Sequence, residues 1–220
     1  MANSSSNTSG PMLYRAVDRI VIAPADARKM VRQYQKKCPS KWSHSKRRER
    51  VADKITSRYA RLAAISGGLT ALPGTIPGVG QALAMFGGGA TDTVVCMKLQ
   101  VDMCMCLAET FDYDVSATDT RHLAFLIAAG GALNQAGTDA VTRVGSKAGV
   151  KMLQRYLRGA TLQAIKQMFR KVGITFTRKS LERGFPLGIG MALGGGANYA
   201  LTQYVGSEAT RWFVLDAQMN

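Results

Sequence analysis

Residues 62–91, LAAISGGLTALPGTIPGVGQALAMFGGGAT, run for 30 positions without a charge. That length would suit a bilayer span, but Pro73 and Pro77 interrupt it, with Gly74, Gly78 and Gly80 around them. A proline lacks the backbone donor and clashes with the preceding turn, so two prolines four apart break a helix. The pieces on either side, 62–72 and 79–90, are each shorter than the roughly 20 residues that a crossing needs. The expectation is helix, turn, helix, with both helices packed tightly through small residues.

A second uncharged run, GFPLGIGMALGGGANYALTQYVG, covers residues 184–206 and holds seven glycines. As a span it is marginal, with Pro186 near its start and Asn198 and Gln203 inside. As a dinucleotide loop it lacks the preceding hydrophobic strand and the acidic residue that this fingerprint needs. The spacing Gly190-x-x-x-Gly194-x-x-x-Asn198 puts small residues on one helical stripe, where another backbone can approach. The run is expected to be a packing seam, with segments 62–72, 79–90 and 123–133 as its neighbours.

Charge separates these runs into blocks. Residues 1–61 hold 15 Lys/Arg against 4 Asp/Glu, and residues 140–183 hold 11 against 1. Between them, residues 62–139 hold 2 against 7. Basic blocks flanking an acidic, apolar centre attract phosphate-bearing polyanions, whether lipid surface or nucleic acid. On a helix predicted over 45–66, Val51, Ile55, Tyr59 and Leu62 mark an apolar face. Lys46, Arg47, Arg48, Arg50, Lys54, Arg58 and Arg61 supply the basic ones. In the second block Arg143, Lys147, Lys151 and Arg155 step by four, followed by Arg158. Gly145, Gly149 and Gly159 weaken the helix there, and VGITFTR, residues 172–178, suits an extended piece or a loop.

The remaining elements are also helical. Residues 1–12 are polar, have no signal-peptide core and are expected to be a disordered tail. Residues 13–36 form helix with a break or start at Pro24, and residues 13–44 make an N-terminal helical extension. A helix over 91–112 buries Met, Leu, Val and Cys, with Asp92, Lys98, Gln100, Asp102 and Glu109 as polar exceptions. Ser116 with Asp119 forms a loose capping box before a helix over 120–134. No period-2 strand pattern and no repeat array is visible. The fold class is all-α, a single multi-helix bundle with glycine-rich close-packed core helices, and residues 45–220 form its main domain.

Little in the chain points to catalysis. His44 and His122 sit in no metal-ligand spacing, and Cys38, Cys96, Cys104 and Cys106 do not match a zinc site. The cysteines are read as small hydrophobes in a reducing compartment. No P-loop and no G-x-S-x-G elbow occurs. Asp92 ends the long uncharged run, so partial burial with a partner is expected there. No cofactor and no metal is expected.

The motifs RYARLAAISGGLTALPGTIPGVG, then Asp92 and CMKLQVDMCMCLAETFDYD with the pair Leu99-Gln100, resemble the EcsC protein family. That family's aromatic-Gly-x-Asp turn is here Phe111-Asp112-Tyr113-Asp114, without the glycine. Pro186, Gly190, Gly194, Asn198, Tyr199, Gly206, Ala209 and Phe213 match its closing motif. The resemblance covers roughly residues 45–215. It implies a helical domain that is not an established enzyme, set near a membrane. Together with the charge blocks, it makes a cytoplasmic protein peripheral to an anionic membrane the leading expectation, with the Lys and Arg residues of both blocks as contacts. A membrane-inserting, toxin-like effector, a nucleic-acid-binding module and a hydrolase built around Asp92 are the alternatives.

Overall fold

The computed structural model describes the backbone over residues 6–66, 88–137, 142–182 and 190–219, and side-chain surroundings over 11–65, 93–137, 142–175 and 195–219. Among these residues there are eight helices and no strand. They are α1 (Ser6–Ile20), α2 (Pro24–Gln35), α3 (His44–Ser66), α4 (Gly88–Thr110), α5 (Thr118–Gln135), α6 (Lys147–Leu157), α7 (Thr161–Glu182) and α8 (Gly190–Met219). The all-α bundle is as the sequence indicates.

α4 is the hub. Its side chains from Val94 to Ala108 are all buried, and α1, α2, α3, α5 and α8 pack around it. A helix that is apolar on every face needs cover on every side. This is how Cys96, Cys104 and Cys106 are buried together although no single face carries all three. Burial pushes the Cys106 thiol up to about 12 and the Cys104 thiol higher still.

Two charges sit inside this apolar helix. Lys98 and Asp102, one turn apart and both buried, form an ion pair. The other carboxylate oxygen of Asp102 accepts from Ile22 N at 2.8 Å, which ties the α1–α2 connector to the core. Burial raises the Asp102 pKa, and the Lys98 ammonium opposes that rise.

α2 starts as its sequence suggests, with extended Ala23 before Pro24, Asp26 in the first turn and Arg32 in the last. Pro24 needs no backbone donor at a helix start, and the charges complement the helix dipole.

Three expectations change. α1 begins at Ser6, inside the stretch expected to be a disordered tail. Leu13, Ala16, Val17 and Ile20 bury one face of it, and the helix runs back through Pro11 and Gly10 to Ser6. Val17 of α1 and Ala27 and Val31 of α2 join the core that α4 anchors. Residues 172–178 are helical within α7. Val172 is buried beside Phe169 and Ile165, so tertiary packing overrides β-branched propensity. The capping box is absent: Ala117 caps α5, while Ser116 accepts from Arg28 Nη2 at 2.7 Å.

Among the described residues, two glycines of α8 make a close approach to α3. A Cβ on Gly195 would stand 2.8 Å from Ala64 O, and one on Gly206 would stand 2.4 Å from Thr56 Cγ2. These two glycines bring α8 against α3, whereas Asn198 is half-exposed. On the next face of α8, Val205 fills the space above Gly131 of α5. Gly190 and Gly194 are placed on α8 by their backbone alone. Pro73, Pro77 and Pro186 lie outside the described residues, as does the side chain of Asp92. No helix among the described residues is long and apolar enough to cross a membrane.

Candidate functional site

α3 carries the basic face. At about 100° per residue, positions 46, 47, 50, 54, 58 and 61 fall within one sector of about 120°. The buried residues Val51, Ile55, Tyr59 and Ala63 occupy the opposite side, packed on α4 and α8. Asp53 stands at one edge of the cationic sector. Arg50, Lys54, Arg58 and Arg61 are exposed, and none forms an ion pair with a described residue.

The connector before α3 completes this face. Arg47 reaches back along it, with Nε donating to Trp42 O at 3.0 Å and Nη2 donating to Ser40 O. Lys46 lies over the Trp42 ring, 5.0 Å from its centroid. Trp42 is thereby held half-buried beside the cations. The sequence showed an aromatic near the basic block; it did not show that two of the block's own cations would fix its position.

Arg48 departs from expectation. It lies on the far side of α3 and pairs with Asp112, its guanidinium 6.0 Å from the Phe111 ring. Its side chain is 29% exposed, so it braces the α4–α5 turn rather than facing outward with its neighbours. That turn has the geometry of a helix C-cap. Asp112 N donates to Glu109 O and Tyr113 N donates to Ala108 O, with Asp112 at φ 66°. This is the paired-bond cap that normally takes glycine at its left-handed position. Aspartate is among the few side chains that tolerate that region, which explains how the turn forms without the family's glycine.

The second block is divided in the same way. Arg143 donates to Glu208 Oε1 from Nε at 3.1 Å and from Nη2 at 3.0 Å. Glu208 is fully buried and also accepts from Arg211 Nη1 at 2.9 Å and from Gly145 N at 2.8 Å. Arg143 therefore anchors the segment before α6 to α8, and Glu208 is the residue that sequence alone did not single out. Lys147, Lys151 and Arg155 step along the exposed side of α6, with Arg158 at its end. Ser146 caps α6 by accepting from Gly149 N at 3.0 Å. α3 and α6 each pack on α8 and not extensively on each other.

Three of the residues quoted from the motifs, Phe111, Tyr113 and Phe213, meet one another. Phe111 stacks on Phe213 at 5.5 Å, and Tyr113 sets its edge against the same ring at 5.0 Å. The Tyr113 hydroxyl donates to Asp216, which also accepts from Gln154 Nε2 at 2.6 Å. The α4–α5 turn, α6 and the end of α8 are joined at this point. Burial, with the Asp216 carboxylate beside it, raises the Tyr113 pKa. Gln100 is buried; its amide nitrogen lies 3.4 Å from Cys96 Sγ and its Oε1 has no partner among the described residues. No group of His, Cys, Asp and Glu among the described residues is arranged to hold a metal.

The model of the EcsC protein family matches residues 16–215 of the chain. No curated protein and no solved structure matches it.

Proposed function

The chain belongs to the EcsC protein family, and from that premise we propose that it acts as a non-enzymatic, peripheral binder of anionic membrane surfaces. The observation that carries this reading is the outer face of α3, where Arg50, Lys54, Arg58 and Arg61 stand exposed without ion-pair partners among the described residues. Near an anionic leaflet each such cation contributes about 1 kcal/mol, falling as salt rises. Trp42 beside them suits the interfacial zone, where an indole keeps its ring apolar and its N–H wet. Lys147, Lys151, Arg155 and Arg158 on α6 offer a second, weaker patch. The protein binds from the water side, as a peripheral cytoplasmic-leaflet protein does.

Vesicle flotation tests this reading. The protein should float with phosphatidylserine vesicles at low salt, dissociate at high salt and ignore neutral phosphatidylcholine vesicles. Equal binding to both vesicle types, or to neither, would sink it. Dye release from the same vesicles would instead indicate insertion.

A further inference from the structure

A cavity of about 380 Å³ opens between the end of α2, the connector that follows it and the outer face of α3. Four cations line it: Lys37 from beyond α2, and Arg50, Lys54 and Arg61 from α3. Tyr34 and Trp42 form its aromatic walls, and buried Val51 lies at its floor. No carboxylate of the described residues lines it.

Like charges converging on one concave space repel one another, and a concave surface focuses their field. Such an arrangement is stabilised by an anion that all of them reach. The wall is already formed, because Arg47 fixes the Trp42 backbone and Lys46 covers one face of its ring. The volume falls within the range of small-molecule sites, roughly 300–1,000 Å³. Arginine forks and lysine ammonium groups are the usual partners of phosphate oxygens. An aromatic wall adds a surface for the ring or carbon skeleton that bears the phosphate.

We infer that this cavity is a discrete site for a phosphate ester carrying several negative charges, seated between Trp42 and the cations of α3. The chemistry is the same whether the ester is the phosphorylated headgroup of a lipid or a free polyphosphorylated small molecule. Only the lipid source rests on the membrane-surface reading; the site itself does not.

The test uses the full chain with inositol hexakisphosphate as a soluble probe, followed by calorimetry and by tryptophan emission. Trp212 is buried, so a ligand-dependent emission change reports Trp42. Binding of one probe per chain is expected, with roughly tenfold loss in Arg50→Gln/Lys54→Gln and less than about twofold loss in Lys147→Gln/Lys151→Gln. Thermal unfolding checks that both pairs fold. If the first pair does not fold, Trp42→Phe serves instead: the emission change should vanish while calorimetric binding persists. Vesicles of phosphatidylcholine with phosphatidylinositol 4-phosphate are then compared with phosphatidylserine vesicles at matched surface charge. Cavity-dependent preference for the phosphoinositide assigns a lipid source, and soluble-probe binding without it assigns a free ester.

Equal loss in both glutamine pairs, or several probes per chain, would overturn the site and leave only diffuse charge. Flotation on phosphatidylserine would in that case still support the surface reading. Displacement of the probe by a single-stranded oligonucleotide at lower concentration than by the probe itself would also overturn it, in favour of nucleic acid.

Discussion

A methyl group on Gly206 would stand 2.4 Å from Thr56 Cγ2 and 2.7 Å from Thr56 Oγ1, with Met103 Sδ at 3.1 Å. α8 reaches α3 at this point only because one side has no side chain. Gly206→Ala should destabilise the fold by about 1–3 kcal/mol, the usual cost of overpacking a core. Thr56→Ala removes both clashing atoms, so the double variant should recover part of that loss. A double-mutant cycle in urea measures the coupling, and simple additivity would show that the contact is not the cause.

Asp112 holds the left-handed position of the α4 cap and pairs with Arg48. Asp112→Gly gains backbone freedom suited to φ 66° and loses a partly exposed ion pair worth about 0–1 kcal/mol. Its stability should lie within about 1 kcal/mol of the parent. Asp112→Val, β-branched at positive φ, should lose about 1–3 kcal/mol. Equal stability of the glycine and valine variants would contradict this account.

Glu208 is buried against Arg143, Arg211 and the amide of Gly145. Removing Glu208 lets the half-exposed Arg143 and Arg211 hydrate but leaves the part-buried Gly145 amide without its acceptor, at a cost of about 1–3 kcal/mol. Glu208→Ala should therefore unfold at clearly lower denaturant. Amide hydrogen exchange should show Gly145 losing protection first, since its donor has lost its acceptor. An unchanged Gly145 exchange rate would argue against the anchor.

Cys104, Cys106, Tyr59 and Tyr113 all have raised pKa values, chiefly through burial. A raised folded-state value means that the unfolded chain loses these protons first. Their contribution is complete below the ordinary thiol value of about 9 and falls as pH rises toward about 12, the Cys106 value. Chemical denaturation at increasing pH should show stability falling from about pH 9 upward, and a flat profile would contradict it. In the same range Cys38, only half-buried, should react first with a thiol reagent, with the other three released on unfolding.

Helix content was legible because it is local. Pro24 opens α2 wherever α2 packs, and the period of Val51, Ile55 and Tyr59 marks one face of α3 regardless of its neighbours. The Met, Leu, Val and Cys content of α4 marked a buried side, and only the packing of five helices around it put all of Val94 to Ala108 inside. The cationic face of α3 could be drawn from spacing, as could the stripe on α6.

Only the tertiary structure separated the cations that face outward from those that hold the molecule together. Arg48 and Arg143 look like their neighbours in sequence, but Asp112 lies 64 residues from the first and Glu208 lies 65 from the second. Asp102 meets Ile22 across 80 residues. The close approach at Gly195 and Gly206 was set by how α8 rotates against α3. Periodicity is a property of one helix and is written in its own residues. Rotation, pairing and the cavity beside Trp42 depend on which helices meet and at what register, which local sequence does not contain.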